Sequence, residues 1–276
     1  MIRLIALDID GTLLDSHGDI PQDNRLAIGR AIDQGVEIVL ATGRRYDFAR
    51  PIFEALPGPL TLILSNGAIV KTTDGRTLIR SLLPVSHARA VLADTLEHRE
   101  SAALIFDRPL DGQVIFERVD WEHPRHSRFF HANRPFISEI QPLEEALIED
   151  PVQVMFTGTC AAMRTLFARL RGNGPYSVAL TEYMHRDFSL VDVVRAGCTK
   201  GAALKAWTER RGLRREQVMA VGDNLNDVEM LEYAGCPVLM GNAAAELRAR
   251  GWATTASNDE AGVSEAIETF VLRKAS

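Results

Sequence analysis

The chain has 276 residues, of which 46% are hydrophobic and 25% are charged, and its formal net charge is −6 at pH 7. These values are typical of a soluble globular protein with one large or two ordinary domains. The net negative charge excludes a broad electrostatic attraction to nucleic acid or to anionic membranes, although a local site can still bind an anionic substrate.

The N-terminal apolar run and the cysteines both favour a cytoplasmic protein. Ile2–Leu7 is too short for the apolar region of a signal peptide and reaches Asp8 at once. No uninterrupted apolar stretch is long enough to span a bilayer. Three widely spaced cysteines without a CxxC pair predict reduced thiols; they are Cys160, Cys198 and Cys236. We therefore expect no nucleic-acid or membrane partner, and the sequence carries no signal for an oligomeric state.

Strands and helices alternate along the first eighty residues. The predicted strands are Ile2–Leu7, Val36–Ala41 and Leu60–Leu64, and the predicted helices are Gln22–Gln34 and Tyr46–Leu56. This order with short connections indicates a parallel sheet with right-handed crossovers. Beyond it, a tight turn at Asn66-Gly67 and two short strands are predicted, over Ala68–Lys71 and Arg76–Leu82.

The middle of the chain has a mixed pattern that predicts an inserted α+β domain. Its predicted helices are His87–Leu96, Leu143–Ile148 and Ala161–Leu170, and its predicted strands are Ala102–Phe106, Val114–Arg118, Pro151–Phe156 and Tyr176–Thr181. The stretch Trp121–Pro135 is rich in histidine, arginine and aromatic residues and has no clear period. We therefore predict a core of residues 1–83 and 187–276 and an inserted domain of residues 84–186.

The C-terminal part returns to the alternating pattern. Its predicted helices are Lys200–Arg211, Asn226–Tyr233, Ala244–Arg250 and Ala261–Leu272, and its predicted strands are Val218–Val221 and Pro237–Met240. The predicted fold class is therefore α/β, with a Rossmann-like doubly wound parallel sheet and an inserted α+β domain.

Acidic residues follow two of the predicted core strands, at the end where such sheets place their chemistry. Asp8 and Asp10 follow the first strand, and Asp223 follows Val218–Val221. Residues two positions apart in an extended chain point the same way, so the first pair needs a cation or a shared proton. Further negative charge from Asp223 and Asp227 favours a hard cation such as Mg²⁺. Taken alone, the DxD pair is equally compatible with a turn or a helix cap.

Candidate phosphate-binding groups occur after the second predicted strand and at the start of the helix that follows the inserted domain. Thr42 has a hydroxyl group, and the amides of Gly43 and Arg44 can bind an oxyanion at a helix start. The ammonium group of Lys200 can lie between a phosphate and a carboxylate. Each feature alone is typical of ordinary surface or turn chemistry, but their combination at one edge of the sheet favours a phosphate site.

Four segments resemble the motifs of the haloacid dehalogenase-like superfamily, in the same order. They are DIDGT (8–12), LATGR around Thr42, TKG around Lys200, and GDNLND (222–227). The DxDGT form resembles the phosphotransferases of the superfamily. VLMGNAAAELR (238–248) and TTASNDEAGVSEAIE (254–268) resemble its Cof-type branch, in which a large α/β cap lies between the second and third motifs.

This resemblance implies an activity and a set of roles. Asp8 would be the nucleophile that forms an aspartyl-phosphate, and Asp10 the general acid and then the base. The remaining implied roles are Mg²⁺ binding by Asp8, the Asp10 carbonyl and Asp223, support by Asn226 and Asp227, phosphate binding by Thr42, Gly43 and Lys200, and substrate contacts by Arg44 and Asn66, with His185 or Arg186 from the cap. The implied function is Mg²⁺-dependent hydrolysis of phosphomonoesters of small metabolites, such as sugar phosphates.

Two alternative functions are compatible with the same residues. A phosphomutase of the same superfamily would share the first motif and the cap, although the Cof-like tail argues against it. A non-catalytic metabolite-binding protein would share the fold, because a fold alone does not establish activity. Such a protein could lose any of the four acids, yet Asp8, Asp10, Asp223 and Asp227 are all present.

Overall fold

The computed structural model describes residues 1–123, 127–183 and 187–272, so the predicted substrate contacts His185 and Arg186 lie outside the described residues. The chain forms two units, Met1–Arg80 with Thr199–Ser276, and Ser81–Cys198. All three cysteines are free thiols. Within the described part of the chain, each helix is too short or too polar to traverse a lipid bilayer.

The strands and helices have the following bounds. The strands are β1 (Leu4–Leu7), β2 (Glu37–Ala41), β3 (Leu60–Leu64), β4 (Ile69–Thr72), β5 (Thr77–Arg80), β6 (Ala102–Ile105), β7 (Val114–Phe116), β8 (Ile137–Glu139), β9 (Gln153–Gly158), β10 (Tyr176–Tyr183), β11 (Phe188–Arg195), β12 (Val218–Gly222), β13 (Cys236–Leu239) and β14 (Ala253–Thr254). The α-helices are α1 (Gln22–Asp33), α2 (Tyr46–Phe53), α3 (Val85–Asp94), α4 (Ser127–Asn133), α5 (Cys160–Leu170), α6 (Lys200–Arg210), α7 (Val228–Tyr233), α8 (Ala245–Arg248) and α9 (Gly262–Ile267).

The first unit is built around an eight-stranded sheet of order β14-β13-β12-β1-β2-β3-β4-β5. The pairs from β14 to β3 are parallel, and β4 and β5 are added antiparallel at one edge. β1 is buried along its whole length. On one face, Leu4 and Ala6 pack with Leu204 of α6 and Met230 of α7, so the neighbouring residues of β1 point to the opposite face. This burial on both faces explains why β1 is a continuous apolar run.

The second unit contains a six-stranded sheet of order β10-β11-β9-β6-β7-β8. Its neighbouring strands are antiparallel except for the parallel pair of β7 and β8. The helix α5 packs on β9, β10 and β11 through a buried face that includes Met163 and Leu166. This arrangement of helices on a mainly antiparallel sheet is of the α+β type.

The second unit extends to Cys198, beyond the predicted boundary between residues 186 and 187. The strand β11, to which sequence analysis gave no element, pairs with β9 and β10 of that unit. Its apolar pattern is interrupted by Asp192, which is buried and accepts a hydrogen bond from Gln153 Nε2 at 2.7 Å. A charged residue at a buried strand position hides the strand from periodicity.

Other differences concern short elements. The stretch without a clear period contains α4, and the helix predicted over Leu143–Ile148 is a 3₁₀ helix, Leu143–Ala146. The turn at Asn66-Gly67 lies in a short 3₁₀ segment, Ser65–Gly67. All three residues there have positive φ, from 48° at Ser65 to 102° at Gly67. At Gly67 a side chain is also excluded, since a Cβ would lie 2.3 Å from the carbonyl oxygen of Thr199.

Candidate active site

Two adjacent parallel strands bring Asp8 and Asp223 together. β1 and β12 pair with Leu7 opposite Val221, and each acid directly follows its strand. The backbone N–H of Asp8 continues the ladder by donating to the Val221 carbonyl at 3.0 Å. Asp8 is 4% exposed and Asp223 is 9% exposed. The sheet order therefore places two carboxylates from opposite ends of the chain at one edge.

Lys200 reaches this edge from the start of α6. The Thr199 side chain caps the helix by accepting a hydrogen bond from the Ala202 N–H at 3.0 Å. Lys200 is 1% exposed, and its Nζ donates to Asp8 Oδ1 at 2.6 Å and to Asp227 Oδ1 at 2.7 Å. The close packing of α6 on α7 requires Gly201, where a Cβ would lie 2.4 Å from the backbone of Glu229. The lysine thus bridges the ends of β1 and β12.

Asp227 uses both carboxylate oxygens within the protein. Its Oδ1 binds Lys200, and its Oδ2 accepts from the N–H groups of Asp223 and Asn224, both at 3.0 Å. A Cβ on Gly222 would lie 2.7 Å from the Asp227 side chain, so the glycine allows this fold-back. Asp227 therefore shapes the loop after β12 and orients Lys200.

The buried cluster has more negative than positive charge. Asp8, Asp223 and Asp227 each offer an oxygen within 4.8 Å of the others, while Lys200 supplies one ammonium. Burial raises the pKa of the Asp8 carboxyl to about 7, with repulsion from Asp227 adding to it and Lys200 offsetting only part. Burial and then Asp8 and Asp227 raise the pKa of Asp223 well above its ordinary value.

Lys200 keeps its proton in this cluster. Burial alone would lower the pKa of Lys200, but Asp227 and Asp8 together raise it above the ordinary lysine value. When all three carboxyls are ionised, they carry two negative charges beyond the one that Lys200 balances, and a divalent cation would balance those two. Carboxylate oxygens suit a hard cation, so the residues present fit a metal ion.

Thr42, Asn66 and Asn226 lie along the same edge. Thr42, which follows β2, is buried and accepts a hydrogen bond from the Arg44 N–H at 3.1 Å through its Oγ1. Its carbonyl accepts from the Asn66 N–H at 3.0 Å, and Asn226 Nδ2 donates to Asn66 Oδ1 at 3.1 Å. A Cβ on Gly43 would lie 3.3 Å from the Asn66 side chain. These contacts connect the loops that follow β2, β3 and β12.

Asp10 pairs with a different cation from Asp8. Both its carboxylate oxygens accept from the Arg44 guanidinium, at 2.6 and 2.7 Å. The two acids of the DxD pair therefore bind different cations: Asp8 binds Lys200, and Asp10 binds Arg44. Arg44, predicted as a substrate contact, has its guanidinium against Asp10.

Two site contacts were missed by sequence analysis. The Thr12 hydroxyl donates to Asp223 Oδ1 at 3.2 Å, so a residue of the first motif holds the acid that follows β12. Asn242 Nδ2 donates to the Gly11 carbonyl at 2.8 Å. Asn242 lies in the segment VLMGNAAAELR (238–248), whose resemblance to the Cof-type branch could have pointed to it.

A family model described as haloacid dehalogenase-like hydrolase matches residues 5–267. The chain belongs to this family. Pyridoxal phosphate phosphatase YbhA of Escherichia coli is 26% identical over 280 residues, covering 98% of this chain and 99% of that protein. The 5-amino-6-(5-phospho-D-ribitylamino)uracil phosphatase YcsE of Bacillus subtilis is 29% identical over 272 residues, covering 98% and 96%. A solved haloacid dehalogenase-like hydrolase from B. subtilis has a TM-score of 0.82 at 24% identity, covering 98% and 100%.

These likenesses confirm three sequence predictions. The chain is a haloacid dehalogenase-like hydrolase of the Cof type, its fold class is α/β, and its enzyme class is that of a phosphatase. Members of this hydrolase family typically use a metal ion, and the buried acidic cluster is compatible with one.

Gly11 offers a test of how tightly this hydrolase packs its first motif around Asp223. Its φ is +83°, and a Cβ there would lie 2.4 Å from Asp223 Oδ2. Gly18 has a similar φ of +89° with nothing within 4 Å of a Cβ. Gly18→Ala is expected to cost about 1–2 kcal/mol of unfolding free energy from backbone strain alone. Gly11→Ala is expected to cost about 1–3 kcal/mol more, because the methyl group displaces the carboxylate.

Urea unfolding of both variants measures this difference. Gly11→Ala is also expected to weaken phosphate release, which Gly18→Ala leaves unchanged. Equal losses of stability in the two variants would show that a methyl group on residue 11 can be accommodated beside Asp223.

Proposed function

We propose that this protein hydrolyses phosphomonoesters of small metabolites in a Mg²⁺-dependent reaction through an aspartyl-phosphate on Asp8. The observation that carries the proposal is the buried cluster of Asp8, Lys200, Asp223 and Asp227, in which an ammonium group fixes the Asp8 carboxylate and three carboxylate oxygens lie close enough together to hold a metal ion. A site that only bound an anionic metabolite would be weakened by three buried carboxyl groups, because their negative charge repels the ligand.

Asp8 is the nucleophile of the proposed reaction. Lys200 fixes its carboxylate through Oδ1, and an Asp8 oxygen attacks phosphorus to form the acyl phosphate. The bond from phosphorus to the ester oxygen breaks, and that oxygen leaves with the electron pair and takes a proton from Asp10. Asp10 then accepts a proton from the water that attacks the acyl phosphate, which releases inorganic phosphate and restores Asp8.

The other residues bind and orient the transferred group. The Thr42 hydroxyl, the Gly43 amide and Lys200 bind the phosphoryl oxygens, and Lys200 also offsets their charge. Asp8, the Asp10 carbonyl and Asp223 would hold Mg²⁺. When bound, that ion reduces the repulsion between the nucleophile and the phosphate. Asp227 keeps Lys200 and the Asp223 loop in place, and Asn226 supports the same loop through Asn66.

The names of the relatives support the substrate class. Pyridoxal phosphate and 5-amino-6-(5-phospho-D-ribitylamino)uracil, which name two relatives, are both phosphate esters of small metabolites. We propose the same class for this chain, with sugar phosphates included. In this proposal the unit Ser81–Cys198 serves as the cap that selects among substrates.

A panel of phosphorylated metabolites tests this function. Purified protein is incubated with pyridoxal 5′-phosphate, several sugar phosphates and p-nitrophenyl phosphate, and released phosphate is measured with Mg²⁺, with EDTA, and with Mg²⁺ restored. We expect turnover that EDTA abolishes and Mg²⁺ restores. Turnover indifferent to EDTA would contradict the metal, and an isomerised sugar phosphate without released phosphate would favour a mutase. Binding without any turnover would favour a sensor.

The raised pKa values of Asp8 and Asp223 predict how Mg²⁺ binding depends on pH. Both carboxyls hold protons to higher pH in the folded metal-free protein than in the unfolded chain. Their contribution to stability therefore falls as the pH rises from about 4 towards 7. Because Mg²⁺ must displace those protons, its affinity increases over the same range.

Thermal unfolding with and without Mg²⁺ checks this prediction. Mg²⁺ is expected to raise the melting temperature by several degrees at about pH 8 and by little at about pH 5. NaCl at matched ionic strength and the Asp223→Asn variant serve as controls, in which this rise is absent. An equal rise at both pH values would contradict binding through these two carboxylates.

A further inference from the structure

Arg44 binds both oxygens of the Asp10 carboxylate. Its Nε donates to Oδ2 at 2.7 Å and its Nη2 donates to Oδ1 at 2.6 Å, the two-point geometry in which a guanidinium matches a carboxylate. The two side chains are 20% and 19% exposed. Among the residues that the structure describes, the hydrogen bonds to this carboxylate come from Arg44 alone.

Arg44 is itself fixed by contacts that do not involve Asp10. Its backbone N–H donates to Thr42 Oγ1 at 3.1 Å, and its carbonyl accepts from the Ser65 N–H at 3.0 Å. Its guanidinium carbon lies 4.7 Å from the centre of the Phe48 ring of α2, within the range of a cation–π contact. Since the arginine is tied to the ends of β2 and β3 and to α2, its position determines where the Asp10 carboxyl points.

We infer that Arg44 is a positioning residue for Asp10 and sets the orientation in which this carboxyl group exchanges protons with the ester oxygen and with water. The inference rests on the proposed function. This role differs from the predicted role of Arg44 as a substrate contact, because Nε and Nη2 of its guanidinium donate to Asp10. A carboxyl group held in one orientation is ready for proton transfer, whereas a freely rotating one has to be ordered in each turnover.

The test uses two esters that differ in their need for an acid. Nitrophenolate leaves p-nitrophenyl phosphate readily as an anion, whereas phenolate is more basic and leaves phenyl phosphate faster when it is protonated. The value of kcat/KM reports phosphoryl transfer to Asp8, before water attacks. In Arg44→Gln, kcat/KM for phenyl phosphate is expected to fall on the order of tenfold more than that for p-nitrophenyl phosphate.

A conservative variant and two references complete the design. Arg44→Lys keeps one donor and the charge, so it is expected to restore part of the difference between the esters. Asp10→Asn is expected to show the same selectivity as Arg44→Gln, and to a larger extent. Arg45→Gln removes the neighbouring guanidinium, which lies 5.8 Å from the same Phe48 ring, and is expected to change both esters by one common factor.

The outcomes separate this inference from the proposed function. Equal losses for the two esters in Arg44→Gln, or in Arg44→Lys should the first variant not fold, would overturn the inference, since a substrate contact or a structural role acts on both alike. Equal losses in Asp10→Asn would remove the acid role and the inference with it, while hydrolysis through Asp8 would stand. Absence of phosphate release by the wild type from either ester and from the metabolite panel would overturn the proposed function itself.

Discussion

Asp8→Asn is expected to abolish phosphate release while leaving the fold intact. The amide cannot form an acyl phosphate, so turnover of p-nitrophenyl phosphate should fall by at least about 10⁴-fold. Asparagine has the shape of aspartate, and its Oδ1 can still accept the hydrogen bond from Lys200. The substitution therefore removes the proposed nucleophile while keeping the shape of the side chain.

The same variant is expected to be at least as stable as the wild type in the absence of metal. Burial and neighbouring acids raise the pKa of Asp8 to about 7, which means that its charged form is disfavoured in the folded protein. Removing that charge relieves repulsion with Asp227 and Asp223. Phosphate release and urea unfolding on the same preparation check both expectations. Retained turnover would exclude Asp8 as the nucleophile, and a large loss of stability would mean that the charge is stabilising.

Lys200→Met is expected to lower the free energy of unfolding more than Asp8→Asn does. Methionine has a similar length but no charge, so the variant leaves Asp8 and Asp227 buried without their ammonium partner. Removing one partner of a buried ion pair typically costs about 3–5 kcal/mol, because the remaining charge is uncompensated. Phosphate release should be lost as well, since the lysine holds Asp8 and, in the proposed mechanism, offsets the charge of the phosphoryl group.

Lys205→Met is a matched control in the same helix. Lys205 lies 4.0 Å from Glu209 with both side chains more than half exposed, at 61% and 63%, and exposed pairs of this kind contribute about 0–1 kcal/mol. Urea unfolding of the two variants compares one substitution in a buried and in an exposed setting. A loss for Lys200→Met no larger than that for Lys205→Met would contradict the charge balance described for the cluster. Mg²⁺ should recover part of the stability lost by Lys200→Met.

The position of the site could be predicted from the sequence because it depends on topology. Asp8 and Asp223 each follow a short apolar run, and parallel strands bring their carboxyl ends to one edge. Lys200 was found through its place at the start of a helix after the inserted region. The placement of these residues depends on the order of the elements and not on side-chain geometry, so small errors in the predicted bounds did not change it.

Contacts set by side-chain conformation could not be predicted in this way. The pairing of Arg44 with Asp10 depends on how two side chains turn at neighbouring strand ends. The double use of Asp227 depends on a loop that folds back over Gly222. The strand β11 was missed for a related reason, because buried Asp192 is satisfied by Gln153 from the neighbouring strand. In each case a polar group is stabilised by a contact that depends on how a side chain or a loop is oriented.

The order of strands in the first unit has a consequence for synthesis of the chain. β1 lies between β2 and β12, and β12 begins only at Val218, after the whole second unit has been made. Until then one side of β1 has no parallel partner, and its backbone N–H and carbonyl groups form an exposed edge that can pair with other chains. The second unit can fold early, since its segment is continuous, whereas the first must wait for its C-terminal segment. Asp8 is thus synthesised before the second unit and Asp223 after it, so the edge of the sheet that carries both carboxylates can form only once both segments of the first unit have been made.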